Sequence, residues 1–133
     1  MYKEAIRPAW VEVNLSNLDY NIKQIKEKAN GRDLIGVIKA DAYGHGSVKC
    51  AEVLRKNGVK TFAIATLQEA LTLREAGAKE EIICLGLTPD MYADVIVEYD
   101  LTPVVCDSSN AKAISDLSLI HISEPTRLGM ISY

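Results

Sequence analysis

The residues of this chain best suited to chemistry lie in one stretch, Val37-Ile38-Lys39-Ala40-Asp41-Ala42-Tyr43-Gly44-His45-Gly46. Lys39 ends an apolar, β-branched run, and a primary amine is the side-chain group that condenses with a carbonyl to give a Schiff base. Tyr43, Gly44 and Gly46 follow in a glycine-rich turn. A turn of that kind at a strand-to-helix junction lets backbone N–H groups approach an anion, and the helix N-terminus behind it favours negative charge. The combination suits an aldehyde that carries a phosphate. Taken singly, none of these residues is specific. A lysine at a strand end is ordinarily a solvated charge, paired glycines ordinarily make a turn, and a tyrosine is ordinarily a half-buried aromatic.

The elements that must position this stretch are legible from periodicity and punctuation. Leu34-Ile35-Gly36-Val37-Ile38 is a nearly continuous apolar run, as expected of a strand covered on both faces. Lys39 stands at its C-terminal end. Ser47 is expected to start a helix with Val48, Ala51 and Leu54 inward and Gly58 after its end. Residues 61–65 read as a second buried strand, and Thr66 with Glu69 makes a capping box for a helix that stops at Gly77. A third strand over 81–85 leads to Thr88-Pro89, a cap residue followed by proline at the first helical position. Tyr92, Val95, Ile96 and Tyr99 line that helix. A fourth strand over 102–106 precedes a last helix capped by Asp107 or Ser108 and carrying Ala111 and Ile114.

Upstream, Trp10-Val11-Glu12-Val13 alternates as a short strand. A helix then begins at Asn14 or Ser16, with Asp19 placed for a capping box on Ser16, and ends at Asn30-Gly31. Buried strands alternating with capped amphipathic helices predict a parallel α/β sheet with right-handed crossovers. An open doubly wound sheet and a (β/α)₈ barrel both satisfy the periodicity. Without G-x-G-x-x-G or a P-loop, a nucleotide-binding sheet loses support. A lysine at the C-terminal end of a strand is where a barrel places its chemistry.

Composition narrows the function classes. The chain has 133 residues, 48% hydrophobic and 25% charged, with a net charge of −3. That is an ordinary globular composition with nothing pointing to nucleic acid or an anionic membrane surface. The first eight residues mix charges and lack an apolar core, so no signal peptide is expected, and no run is long enough to span a bilayer. A cytoplasmic location is expected. Cys50, Cys84 and Cys106 lack metal or redox spacing and read as reduced thiols. His45 and His121 are too few and too scattered for a metal site.

The ten-residue stretch closely resembles the cofactor-attachment motif of the alanine racemases, V-x-K-A-D-A-Y-G-H-G, and every fixed position matches. The resemblance extends over roughly residues 7–116. It implies a partial (β/α)₈ TIM barrel made of the first four β-α units, preceded by a strand and a helix, with the C-terminal β-domain missing. Residues 1–13 would be a strand that pairs with that absent domain, and 14–116 a partial pyridoxal-phosphate-binding barrel. By resemblance, Lys39 is the catalytic lysine. It holds pyridoxal 5′-phosphate as a Schiff base and exchanges the Cα proton for the D-enantiomer. Tyr43 would be a phosphate ligand. Leu85, within Ile83-Cys84-Leu85-Gly86, would pack against the cofactor. The implied reaction is interconversion of L-alanine and D-alanine for peptidoglycan, with the full-length family acting as a homodimer.

The same resemblance sets limits. The family's second acid/base is a tyrosine from the partner's C-terminal domain, and Tyr20, Tyr92, Tyr99 and Tyr133 do not match its motif. A complete barrel takes roughly 250 residues. The chain alone is therefore expected to be a truncated, inactive fragment that binds cofactor weakly. Residues 117–133 depart from the family pattern and resemble translated sequencing-adaptor read-through, so they are set aside from fold reasoning. Other readings are a racemase of serine or another amino acid, a non-catalytic cofactor-binding barrel, or a plain structural domain. The non-catalytic barrels lack the Ala40 to Gly46 continuation.

Overall fold

The structure, a computed structural model, describes residues 9–120. The segments 1–8 and 121–133, with the parts of the N-terminal strand and of the 117–133 tail that fall there, lie outside the described residues. Helix α1 spans Leu15–Ala29 and strand β1 spans Ile35–Val37. A short left-handed turn over Lys39–Gly44 leads into helix α2, Ser47–Lys56. Strand β2 (Thr61–Ile64) and helix α3 (Leu67–Glu75) form the next unit. Strand β3 (Glu81–Leu87) is followed by a 3₁₀ turn over Asp90–Tyr92 and helix α4, Ala93–Glu98. Strand β4 (Thr102–Val104) and helix α5 (Ser108–Ile120) complete the order.

The four strands are parallel and neighbour one another in sequence order, β1-β2-β3-β4. Sequential order without a reversal, with one face covered, is barrel geometry and not the doubly wound alternative. Phe62, Ile64, Ile82 and Cys84 point to the covered face and are fully buried with Leu73 of α3. Ile35, Val37, Leu85 and Leu87 point the other way and are exposed. The continuous apolar runs predicted strands covered on both faces. Only β2 meets this, with Phe62, Ala63 and Ile64 all buried; in β1 and β3 side chains that point away from the helices, such as Ile35, Val37 and Leu85, are exposed.

Local chemistry sets the element ends. Asn14, not Ser16, caps α1, its Oδ1 accepting the Asn17 N–H at 3.0 Å. Asp19 is turned to other work, accepting from Lys23 and from Asn57 at the end of α2. The Thr66–Glu69 capping box forms as its spacing predicts. Asp107, not Ser108, caps α5 through the Asn110 N–H at 2.8 Å. The helix expected directly after Thr88-Pro89 begins instead at Ala93, because the 3₁₀ turn takes the first residues. Tyr92 is accordingly exposed, while Ala93 and Ile96 face the core. Trp10–Val13 forms no strand: a strand needs a ladder partner, none is present among the described residues, and Trp10 and Val11 are exposed. The expected alternation survives only in the Trp10 Nε1–H to Glu12 Oε1 hydrogen bond at 3.1 Å.

The units are stitched at the N-terminal end of the sheet. Arg74, in the last turn of α3, donates to four backbone carbonyls: Ala78, Glu80, Tyr99 and Asp100, at 2.8–2.9 Å. Glu81 accepts from the hydroxyls of Thr61 and Thr102, joining the first residues of three strands.

Candidate active site

The backbone changes hand immediately after Lys39. Ala40, Asp41, Ala42 and Tyr43 all have φ between 50° and 56° and ψ between 37° and 50°, a full turn of left-handed helix. Non-glycine residues visit that region singly, at a cost of roughly 1–2 kcal/mol each. Four in succession persist only where the surroundings over-determine them, and such strain gathers at functional sites. Gly44 and Gly46 follow with φ of 84° and 87° and return the chain to α2.

The turn is held from several sides. The Ala42 N–H donates to the Ile38 carbonyl at 2.9 Å, and Ile38 and Ala42 are both buried. The Gly46 N–H donates to the Asp41 carbonyl at 2.9 Å, and the Ser47 N–H donates to Asp41 Oδ1 at 2.7 Å. His45 turns its Nδ1 back onto the Ala42 carbonyl at 2.9 Å, so it serves the turn. Glu69, from the start of α3, accepts the Ala40 N–H through Oε1 at 2.7 Å.

These contacts revise the anion cradle expected of the glycine-rich turn. The amides of Gly46 and Ser47 at the start of α2 are already taken by Asp41. An incoming phosphate would find the chain's own carboxylate there. What the turn offers is at its outer side. Tyr43 is 60% exposed, and a Cβ built on Gly44 or Gly46 would meet no atom within 4 Å. Lys39 itself is half-buried.

Register relates the remaining candidate to the lysine. Val37 pairs with Ala63, and Ala63 with Ile83, so Lys39 and Leu85 each come two residues after one row that crosses three strands. Leu85 is 45% exposed and lies where β3 breaks register against β4, between Cys84 and Leu87. A bulge of this kind re-aims side chains at the rim of a sheet. Gly86 beside it is required by space. A Cβ there would stand 2.3 Å from the Ala65 carbonyl oxygen.

Sequence reasoning singled out Lys39, Tyr43 and Leu85, and all three lie at the C-terminal end of the sheet. It missed two residues that shape the turn. Asp41 was part of the motif without a role, and Glu69 was legible only as a helix cap. The thiols nearby are unreactive in character. Burial, and then the Asp41 charge, raises the Cys50 thiol, and burial pushes Cys84 up to about 11.

The chemistry of this donor set fits a carbonyl cofactor bearing an anion. It combines a primary amine, an exposed phenol, open space over two glycines and apolar side chains at Val37 and Leu85. Comparison with known proteins gives the family. A family model described as "Alanine racemase, N-terminal domain" matches residues 13–124. An alanine racemase of Clostridium kluyveri is 46% identical over 96% of this chain and 34% of its own length. One from Clostridium tetani is 39% identical over the whole of this chain and 36% of its own. The solved alanine racemase of Clostridium difficile 630 superposes with a TM-score of 0.80 at 37% identity, covering 86% of this chain and 31% of that one. The chain thus spans about a third of the length of the curated relatives it matches. On the matched residues and the partial barrel they build, the chain belongs to the alanine racemase N-terminal domain family.

Proposed function

We propose that this chain supplies the cofactor-lysine half of a pyridoxal 5′-phosphate-dependent alanine racemase, a cytoplasmic enzyme interconverting L-alanine and D-alanine for peptidoglycan. The observation that carries this reading is the placement of Lys39: the end of a parallel strand, directly before a strained left-handed turn fixed by Asp41 and Glu69. The curated relatives it matches bear the name alanine racemase, which favours alanine over serine or another amino acid. The intact Ala40 to Gly46 continuation favours an enzyme over a non-catalytic barrel.

When bound, pyridoxal phosphate supplies an electron sink that stabilises negative charge at the substrate Cα. The rest of the work belongs to the chain. The Lys39 amine would hold the cofactor through its carbonyl carbon and would serve as the acid/base for the Cα proton on one face. Tyr43 offers its phenolic O–H to the phosphate. Leu85 packs an apolar surface against the ring and keeps water from it. Inversion needs a second acid/base on the opposite face, supplied by another part of the site in a homodimer. The described residues therefore bind cofactor without racemising alanine.

Reductive trapping tests the reading. The chain is incubated with pyridoxal 5′-phosphate, reduced with borohydride and mapped by mass spectrometry. The expected adduct lies on Lys39 and disappears in Lys39→Ala. An adduct spread over Lys23, Lys49 and other exposed lysines, unchanged in that variant, would overturn it. Conversion of L-alanine to D-alanine by this chain alone would overturn the assignment of the second acid/base elsewhere.

A further inference from the structure

We propose that Glu69 is a positioning residue for Lys39, an assignment that rests on the cofactor-lysine reading above. A capping box needs one carboxylate oxygen, and Glu69 gives it Oε2, which accepts the Ala65 and Thr66 N–H groups at 2.7 and 3.1 Å. The second oxygen reaches across to another loop. Oε1 accepts the Ala40 N–H at 2.7 Å, 29 residues away in sequence. One half-buried carboxylate thus spans the exits of β1 and β2.

The point of attachment matters. The Ala40 N–H belongs to the peptide plane that joins Lys39 to the left-handed turn. Holding that plane fixes ψ of Lys39, and with it the direction in which its side chain leaves the backbone. Ala40 is also the first residue with left-handed dihedrals. A charge-assisted hydrogen bond placed there opposes relaxation of the whole turn toward an ordinary conformation. Glu69 touches no reacting atom in this arrangement. It acts through the backbone.

The test separates this role from plain helix capping. Glu69→Gln leaves a single acceptor oxygen, so one of the two loops meets an NH₂ group instead. Glu69→Asp keeps the charge and shortens the reach. Thr66→Ala removes the hydroxyl half of the capping box and leaves both Glu69 oxygens in place. Amide hydrogen exchange at Ala40, Ala42 and Gly46 is read for the full chain and for each variant. Both Glu69 variants are expected to speed exchange by about tenfold or more, the scale of one charge-assisted hydrogen bond. Thr66→Ala is expected to leave those amides unchanged while fraying α3. Equal acceleration by Thr66→Ala, or none in the Glu69 variants, overturns the proposal.

Borohydride trapping with pyridoxal 5′-phosphate is the second readout. If the parent chain labels at Lys39, the Glu69 variants must label more slowly and Thr66→Ala at the parent rate. Labelling at the parent rate in all of them overturns the positioning role. If the parent chain does not label at Lys39, the cofactor reading fails, and hydrogen exchange still decides whether Glu69 fixes the turn.

Discussion

At the scale of single residues, the candidate site joins a primary amine to a left-handed turn that two carboxylates hold by its backbone. Lys39 and Tyr43 stand out in the sequence because their types and spacing suit chemistry. The contact of Asp41 with Ser47 and that of Glu69 with Ala40 were not legible there, because only the folded loops bring those groups together. Asp41 sits six residues before Ser47, a separation at which no helical or strand periodicity predicts a contact. The folded turn brings its carboxylate onto the Ser47 N–H at 2.7 Å, where it caps α2 from outside the helix. Asp41→Ala is expected to destabilise the chain by about 1–2 kcal/mol, the range of a lost N-cap. Asp41→Asn, which keeps the acceptor, should lose far less, since the two residues cap about equally well. Urea unfolding followed by far-ultraviolet circular dichroism measures both. Equal losses in the two variants would show that charge, not the acceptor, carries the effect.

At the scale of elements, four strands and their helices were readable from apolar runs and caps, and the structure keeps them in the predicted order. The failures have physical causes. Thr88-Pro89 carries a helix-start signal, yet the chain makes a 3₁₀ turn first and defers the helix to Ala93. Trp10–Val13 alternates like a strand but has no neighbour to pair with among the described residues. The strand glycines show what pattern reading leaves out. Gly36 and Gly86 look alike in sequence, but their surroundings differ. A Cβ on Gly36 would meet Leu54 Cδ1 at 2.8 Å and Phe62 Cδ1 at 3.2 Å, side-chain atoms of which the Leu54 end can rotate away. A Cβ on Gly86 would meet the Ala65 carbonyl oxygen at 2.3 Å, and backbone cannot give without parting β2 from β3. Gly86→Ala is therefore expected to cost several kcal/mol, on the order of 3 or more, and Gly36→Ala about 1–2. Chemical denaturation of the two variants checks the ranking, and a larger loss in Gly36→Ala would refute it.

At the scale of the molecule, the chain is a layered half: helices on one side of a parallel sheet, and an apolar face with Ile35, Val37, Leu85 and Leu87 on the other. Its cohesion comes from the helix-side core and from side chains that join successive units. Asp19 joins α1 to the end of α2 through Asn57 at 2.7 Å. Arg55 of α2 grips Glu80, in the loop before β3, through both carboxylate oxygens. Burial alone would raise the Glu80 carboxyl. The hydrogen bonds from Arg55 and from the Glu80 and Lys79 backbone N–H groups outweigh it and hold the group below its ordinary 4.5. The sign of the consequence follows. With a lower affinity for protons folded than unfolded, Glu80 stabilises the fold above pH 4.5. That contribution is lost as pH falls from there through the folded value. The Arg55 partner is 40% exposed, so solvent screening limits the effect to roughly 1 kcal/mol. Thermal unfolding between neutral and acidic pH should show the melting temperature falling below pH 4.5. In Glu80→Gln the midpoint at neutral pH should be lower and the acid limb shallower. An acid limb of unchanged slope in that variant would place the pH dependence in other carboxylates, with Asp19, lowered by Lys23 and Asn57, the next to substitute.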